Sequence, residues 1–277
     1  MMFRYYKPHT INELSELKAK YDSKLLSGGT DLMVKMRAKV INPEVVIDTK
    51  GLEKEEITFD GSKIRIPLNT TYDDLLSNNE FCDRFPMVVD IIKQIGSPQI
   101  RNRATPIGNI GNASPAGDFL LATYLFHGYA EIKPSNKKVR IHQLIDGPGR
   151  LRLKPEEFIY SIELKERKGF KYYYEKVGKR NAMNIAIISL GVLVKLDGEI
   201  IEEIKIAYGS VGPTVVRFKD IEDGVIGKKF SKELFEELAE KYYERINPIT
   251  DVRATADYRK KMVKNLMLKS YYNLNKN

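Results

Sequence analysis

The sequence predicts an α+β protein in two parts. Three observations carry this. The first 55 residues alternate a helical pattern with short apolar runs and place a Gly-Gly turn ahead of a helix. Composition shifts near Glu166. Beyond it two apolar, β-rich runs meet at Asp197-Gly198 and two helical patterns follow, which is the signature of an antiparallel sheet carrying helices.

Taken in order, Thr10 and Glu13 have capping-box spacing, and Leu14, Leu17 and Tyr21 follow at helical intervals. Residues 24–26 read as a short strand, residues 32–39 as a helix, and Val45-Val46-Ile47 as another strand. Residues 55–70 read as short strands around the Asp60-Gly61 turn. Residues 73–76 and 87–95 are expected to be helical. Residues 101–118, dense in Gly, Asn, Ser and Pro, are expected to interrupt regular structure. Residues 119–129 are apolar enough for a helix buried behind that segment. Short strands with Pro and Gly turns fill residues 131–162, and residues 165–180 alternate as a strand. The hairpin runs over residues 185–196 and 200–208. One helix begins near Ser231 with Leu234, Leu238 and Tyr242, and another near Asp251 with Tyr258, Met262 and Leu266. The boundary falls at residues 165–170.

Composition excludes several classes. With 277 residues and 42% apolar content, the chain can bury a real core. No run approaches the roughly 18 apolar residues of a membrane span. The N-terminus lacks the apolar stretch of a signal peptide, so a cytoplasmic location is the default. A single cysteine, Cys82, excludes an internal disulfide, a four-cysteine zinc site and an iron–sulfur cluster held by this chain alone. His9, His127 and His142 have no ligand spacing, and no metal is assigned. The net charge of +9 permits acidic partners, but lysine and glutamate are mixed throughout, as on a solvated surface. The basic stretch 165–180, with Tyr172, Tyr173 and Tyr174, reads better as a strand than as a nucleic-acid platform.

Two loops carry the functional signal. Ser27-Gly28-Gly29-Thr30-Asp31 lies between a strand and a helix, where glycine lets a ligand approach the backbone and a helix N-terminus favours anions. Residues 101–118 offer exposed N–H groups, Arg101 and Arg103, and short amide and hydroxyl side chains. Neither loop has dinucleotide-fingerprint or P-loop spacing. The residues alone give two anion-friendly glycine loops, suited to a long ligand with two phosphates.

These residues resemble the FAD-binding medium subunit of the molybdenum hydroxylases, the carbon monoxide dehydrogenase and xanthine dehydrogenase type. The family motif A-G-G-T-D-L is similar to Ser27-Gly28-Gly29-Thr30-Asp31-Leu32. A-T-I-G-G-N-I, followed by A-S-P-A-G-D, is similar to residues 104–110 and 113–118. Tyr174-Glu175-Lys176-Val177-Gly178-Lys179-Arg180 resembles an aromatic-x-K-V-x-R-R stretch. Gly212-Pro213-Thr214-Val215-Val216-Arg217 resembles A-P-T-P-V-R, and Asp251-Val252-Arg253-Ala254-Thr255-Ala256-Asp257-Tyr258-Arg259 resembles D-x-R-A-S-A-E-Y-R.

The resemblance implies a two-part FAD-binding domain of the vanillyl-alcohol-oxidase (PCMH) type over residues 1–168, divided into 1–55 and 56–168. A smaller α+β C-terminal domain with an antiparallel sheet follows over 169–277. It implies FAD contacts at Leu25, Leu26, Ser27, Gly28, Gly29, Thr30, Asp31 and Leu32, and at Thr105, Ile107, Gly108 and Asn109. Ile95, Asp118, Ile159 and Lys176 complete the set, with Lys179 as an alternative to Lys176. Asp118 is also placed to cap a helix beginning at Phe119, and Lys176 reads equally as a surface lysine. Where the family has glycine, this chain has Ile107 after Pro106. Either the loop shifts by a residue or it gives fewer N–H bonds, and restoring glycine at Ile107 is expected to leave flavin retention undiminished.

The implied function is an electron-transfer oxidoreductase subunit. A molybdenum-cofactor large subunit and a 2Fe–2S small subunit would be its partners, and NAD, oxygen, quinone or ferredoxin the external acceptor. Two rivals stay open: a stand-alone FAD-dependent oxidoreductase of the same fold, and a basic nucleic-acid-binding module.

Overall fold

The structure, a computed structural model, describes residues 3–180 and 183–276. The chain forms two compact units, each assembled from three stretches of sequence.

The first unit comprises the chain up to Asp83 together with Gly96–Ala113 and His127–Glu166. Its three-stranded sheet is parallel, in the order Arg4–Tyr6, Val45–Asp48, Ser23–Leu26. All four residues of the middle strand are buried, as a parallel strand covered on both faces must be. Helix Ile11–Lys20 connects the outer strands and buries Leu14. The Thr10 hydroxyl accepts the Glu13 amide, but the Glu13 carboxylate takes the His9 amide, one residue before the cap. A five-stranded antiparallel sheet follows, in the order Thr58–Asp60, Lys63–Pro67, Phe158–Lys165, Tyr129–Lys133, Lys137–Arg140.

Residues 101–118 are more regular than their composition suggests. Pro106–Gly111 is a helix with Thr105 as its N-cap and proline at its first turn. Proline is preorganised there, and its missing N–H is one that a helix start leaves unpaired anyway. Ile107 and Ile110, three apart, turn one helical face into the core. Ile107 thus has no positive φ to tolerate, since Ala113 is the one residue of 101–118 in that region.

The second unit comprises Arg84–Ile95, Ser114–Phe126 and the chain from Arg167 onward. Its sheet is antiparallel: Lys171–Val177, Ile188–Asp197, Ile200–Gly209. Helices Lys232–Arg245 and Ala256–Leu274 start on the hydroxyl caps Ser231 and Thr255. Helix Asp118–Leu125 is buried at every residue except Tyr124. A Cβ on Gly191 of the middle strand would stand 2.6 Å from Leu125 and 2.9 Å from both Leu121 and Met87. Glycine is what lets helix Asp118–Leu125, and Met87 of helix Pro86–Lys93, press onto the sheet. Two expectations are corrected here. The helix anticipated over residues 119–129 ends at Leu125, and Tyr129 opens a strand, with His127 at φ 49 breaking the helical path between them. Asp118 does not cap a helix from Phe119. Gly117 is the N-cap, and Asp118 is the first helical residue, its carboxylate engaged by two side chains of a strand.

Candidate functional site

In the first unit the two glycine loops meet. Gly28 lies so close to residues 103 and 104 that a Cβ there would be 2.0 Å from the Arg103 carbonyl oxygen. Only glycine permits this approach. The next residue, Gly29, takes φ 75 and turns the chain into helix Leu32–Arg37. Ser27 Oγ donates to Asn69 Oδ1 at 3.0 Å and lies 3.3 Å from Thr105 Oγ1. Asn69 is itself held by Thr49, whose hydroxyl donates to Oδ1 at 2.6 Å and whose carbonyl accepts from Nδ2 at 2.8 Å. Lys35 donates to Asn112 Oδ1 at 2.5 Å and pairs with Asp31 at 2.8 Å, joining the far ends of the two loops.

These contacts surround a cavity of about 160 Å³ lined by Ser27, Gly28, Lys50, Asn69, Thr71, Asn102, Arg103 and Thr105. Lys50 Nζ donates to the Ser27 carbonyl at 2.9 Å and pairs with Asp48 at 2.6 Å. Burial alone would raise the Asp48 carboxyl, but hydrogen bonds from Lys50 and from the Tyr5 hydroxyl hold it below its ordinary value. Thr105 Oγ1 accepts the Gly108 amide at 3.0 Å, so that N–H serves the cap. A larger hollow of about 240 Å³ lies in the second unit at Asp220, Ile221, Gly224, Lys241, Glu244 and Arg245. Its Arg245 is already paired with Asp220 and stacked on Phe218, so size does not make it the better candidate.

In the second unit, Asp118 and Lys176 form a buried ion pair at 2.6 Å, with side chains 9% and 3% exposed. Lys176 Nζ also donates to the Gln94 carbonyl at 3.1 Å, and the Tyr174 hydroxyl donates to Asp118 Oδ1 at 3.2 Å. Tyr172, Tyr174 and Lys176 share one face of their strand, and Tyr172 donates to Asp90 at 2.8 Å. Burial raises the Asp118 carboxyl above its ordinary value against the opposing pull of the Lys176 ammonium. Burial likewise pushes the Tyr174 hydroxyl well above 10. Lys176 is therefore no surface lysine. Lys179 is exposed and donates to the Val252 carbonyl at 2.7 Å.

The remaining anticipated residues divide by exposure. Leu25, Leu26, Gly29, Thr30, Leu32, Ile95 and Asn109 are half-buried, and Asp31 and Gly108 are exposed. Ile107 and Ile159 are core residues, 7% and 4% exposed, with Ile159 opposite Ile132 in the sheet.

Residues 1–164 match the family described as FAD binding domain in molybdopterin dehydrogenase, and residues 172–274 match the CO dehydrogenase flavoprotein C-terminal domain. The chain belongs to this family. It is 30% identical to the glyceraldehyde dehydrogenase medium chain of Sulfolobus acidocaldarius, over 97% of both chains. It is 29% identical to the carbon monoxide dehydrogenase medium chain of Hydrogenophaga pseudoflava, over 94% of this chain and 92% of that one. A solved structure of carbon monoxide dehydrogenase from Hydrogenophaga pseudoflava superposes with a TM-score of 0.93 at 27% identity, covering 98% of this chain and 96% of that one.

As a member of this family the chain is an oxidoreductase subunit with FAD as its cofactor. The first unit fits that group. A pyrophosphate needs cations, donors and backbone free of side-chain cover. Lys50 and Arg103, the hydroxyls of Ser27, Thr71 and Thr105, the amides of Asn69 and Asn102, and the bare backbone of Gly28 provide them around one cavity. Sequence reasoning missed Lys50, Asn69 and Thr71. A local signal existed for one of them, because asparagine tolerates positive φ and Asn69 takes φ 69.

The other two family stretches serve packing. Arg217 makes a bidentate pair with Glu222 and donates to the Tyr124 carbonyl at 2.9 Å. Asp251 accepts the Arg253 and Ala254 amides and pairs with Arg259, which donates to the Ser210 carbonyl at 2.8 Å. These arginines fasten helix ends to the sheet.

Proposed function

We propose that the chain is the FAD-carrying electron-transfer subunit of a cytoplasmic molybdenum hydroxylase. It receives electrons from a 2Fe–2S small subunit, beside a molybdenum-cofactor large subunit, and passes them to an external acceptor: NAD, oxygen, quinone or ferredoxin. The names of the relatives, medium chains of such dehydrogenases, support this division. The observation that carries the reading is the approach of Gly28 to the Arg103 carbonyl, which gathers two distant loops around one donor-rich cavity.

In this reading residues 1–168 are the FAD-binding domain and residues 169–277 the C-terminal domain, a division that the two family matches support. Residues 25–32, Thr105, Gly108 and Asn109 hold the pyrophosphate and its sugars, and Ile107 contributes through its backbone. Lys50 and Arg103 offset the phosphate charge. Ile95 and Ile159 are apolar contacts. Asp118 and Lys176 are the further contacts that the family resemblance implies; Asp118 fixes the Lys176 ammonium, and Tyr174 fixes Asp118. When bound, FAD supplies exchange of electrons singly or in pairs; the protein supplies position and electrostatics. No side chain is assigned as acid or base toward a substrate.

The visible spectrum of the purified chain, with the released cofactor identified, tests this. Oxidised-flavin bands and FAD are expected. A colourless chain that releases no FAD ends the reading, and substrate turnover by the isolated flavoprotein would favour the stand-alone oxidoreductase.

A further inference from the structure

A buried guanidinium needs acceptors, and one in the second unit has an entire edge without them. The Arg167 side chain, just ahead of strand Lys171–Val177, is 7% exposed. Its Nε and Nη2 are buried and have no hydrogen-bond partner among the described residues. These two atoms form the parallel fork that a carboxylate or phosphate fills with two oxygens. Arg217 shows the filled state, its Nε donating to Glu222 Oε1 at 2.8 Å and its Nη2 to Oε2 at 2.7 Å. The remaining corner of Arg167, Nη1, lies 3.8 Å from Glu203 Oε1, beyond hydrogen-bond reach. The Phe170 ring, 5.8 Å away, engages a face of the guanidinium and leaves its edge free.

The surroundings are cationic. Lys205, with a side chain 5% exposed, pairs with the same Glu203 oxygen that faces Arg167. Arg217 stands close by, and Glu222 is fully engaged, since it also accepts the Ile206 amide at 2.7 Å. Three cations therefore face two carboxylates. Burial pulls Arg167 and Lys205 below their ordinary values, and repulsion from Arg217 adds to both shifts. An unpaired buried charge and a dry, empty fork are each costly, and one bound anion removes both costs. We propose that the Nε–Nη2 edge of Arg167, assisted by Lys205, binds a small oxyanion, either phosphate or a short carboxylate. Glu203, whose side chain is 38% exposed, lies on the solvent side and competes for the same cations. The site uses second-unit residues alone and does not depend on how the glycine-loop cavity is read.

The test dialyses the full chain against labelled inorganic phosphate and, separately, labelled acetate, in chloride buffer. The chain is loaded with FAD so that the glycine-loop cavity does not take the probe. Wild type is expected to bind about one equivalent of at least one anion saturably and to gain thermal stability as it does. The tighter of the two names the class. Arg167→Lys keeps the charge but loses the fork, and should weaken uptake at least about tenfold. Arg245→Met, which removes a cation from an exposed pair of the same unit, should leave uptake unchanged. Glu203→Gln removes the competing carboxylate and should tighten uptake several-fold, a gain that a purely structural Glu203–Lys205 pair does not give. Uptake of neither anion, equal uptake by wild type and Arg167→Lys, or displacement by an equal concentration of chloride overturns the proposal. So does a Glu203→Gln chain that binds no more tightly than wild type, and this comparison decides alone if Arg167→Lys fails to fold.

Discussion

Replacing Gly28 by alanine isolates the contact on which the candidate site depends. The added Cβ would stand 2.0 Å from the Arg103 oxygen, 2.8 Å from its carbonyl carbon and 3.0 Å from the Ala104 Cα. Ordinary contacts between such atoms begin near about 3.5 Å, so one backbone must retreat by more than about 1 Å. All three obstructing atoms are backbone and cannot swing away as a long side chain would. Overpacking of this kind costs about 1–3 kcal/mol. If the strain falls on the geometry that binds FAD, that converts to roughly 5- to 150-fold weaker binding. Titration of the apo chain with FAD, followed by flavin fluorescence, measures it. Gly61→Ala is the control. Gly61 takes φ 54 with nothing within 4 Å of its Cβ, so alanine strains that turn by about 1–2 kcal/mol without moving either loop. Gly61→Ala should lower stability and leave FAD affinity alone. A Gly28→Ala chain that binds FAD within twofold of wild type would falsify the claim that this approach builds the site.

Three further outcomes follow from the same contacts. Lys176→Met leaves the Asp118 carboxyl buried without its partner and should cost about 3–5 kcal/mol near neutral pH. Because burial already raises that carboxyl above its unfolded value of about 3.9, the penalty is small below that pH and grows as pH rises through the folded value; denaturant unfolding across this range checks the sign, and adding Asp118→Asn should recover most of the loss. Ile107→Gly, harmless on the motif alone, should instead cost about 3–6 kcal/mol, since it empties a buried site and places glycine in a helix; a thermal melt indistinguishable from wild type would contradict the helix over Pro106–Gly111. Asp251→Asn bears on a carboxyl that burial would raise but that amide bonds and Arg259 hold below its ordinary value; its stabilisation is present above the unfolded pKa and lost as pH falls through the folded one, so the deficit of the variant should shrink on acidification.

Ile107 shows where sequence reading worked and where it failed. The glycine-rich composition of residues 101–118 pointed to the stretch that meets Gly28 and lines the first unit's cavity with Asn102, Arg103 and Thr105. It hid the helix, because two buried isoleucines and a threonine cap are a weak periodic signal over six residues. The Asp197-Gly198 hairpin and the hydroxyl-capped helix at Ser231 were legible, since turn and cap preferences act within a few residues. Which sheet a helix covers is a different matter. Helix Asp118–Leu125 is apolar on all sides, and nothing in its own sequence names Gly191 as the place it presses against.

The same distinction orders the site. Ser27, Gly28 and Thr105 could be read in advance because glycine and small hydroxyl residues between regular elements are unusual in themselves. Lys50, Asn69 and Thr71 could not, because each looks like an ordinary strand-end or turn residue until the fold brings it to the cavity. Asp118 and Lys176 are the intermediate case. Fifty-eight residues separate them, and each alone has a mundane role. Only their burial together, with Tyr174 holding the carboxylate and the Gln94 carbonyl holding the ammonium, makes a surface-lysine role untenable. An ion pair taken out of water is expensive unless its remaining polar atoms are satisfied, and replacing such a pair by apolar groups often stabilises a fold. Stability therefore gives no reason to keep this one. The Lys176→Met, Asp118→Asn double variant tests this directly, since it removes both charges at once and should keep most of the stability.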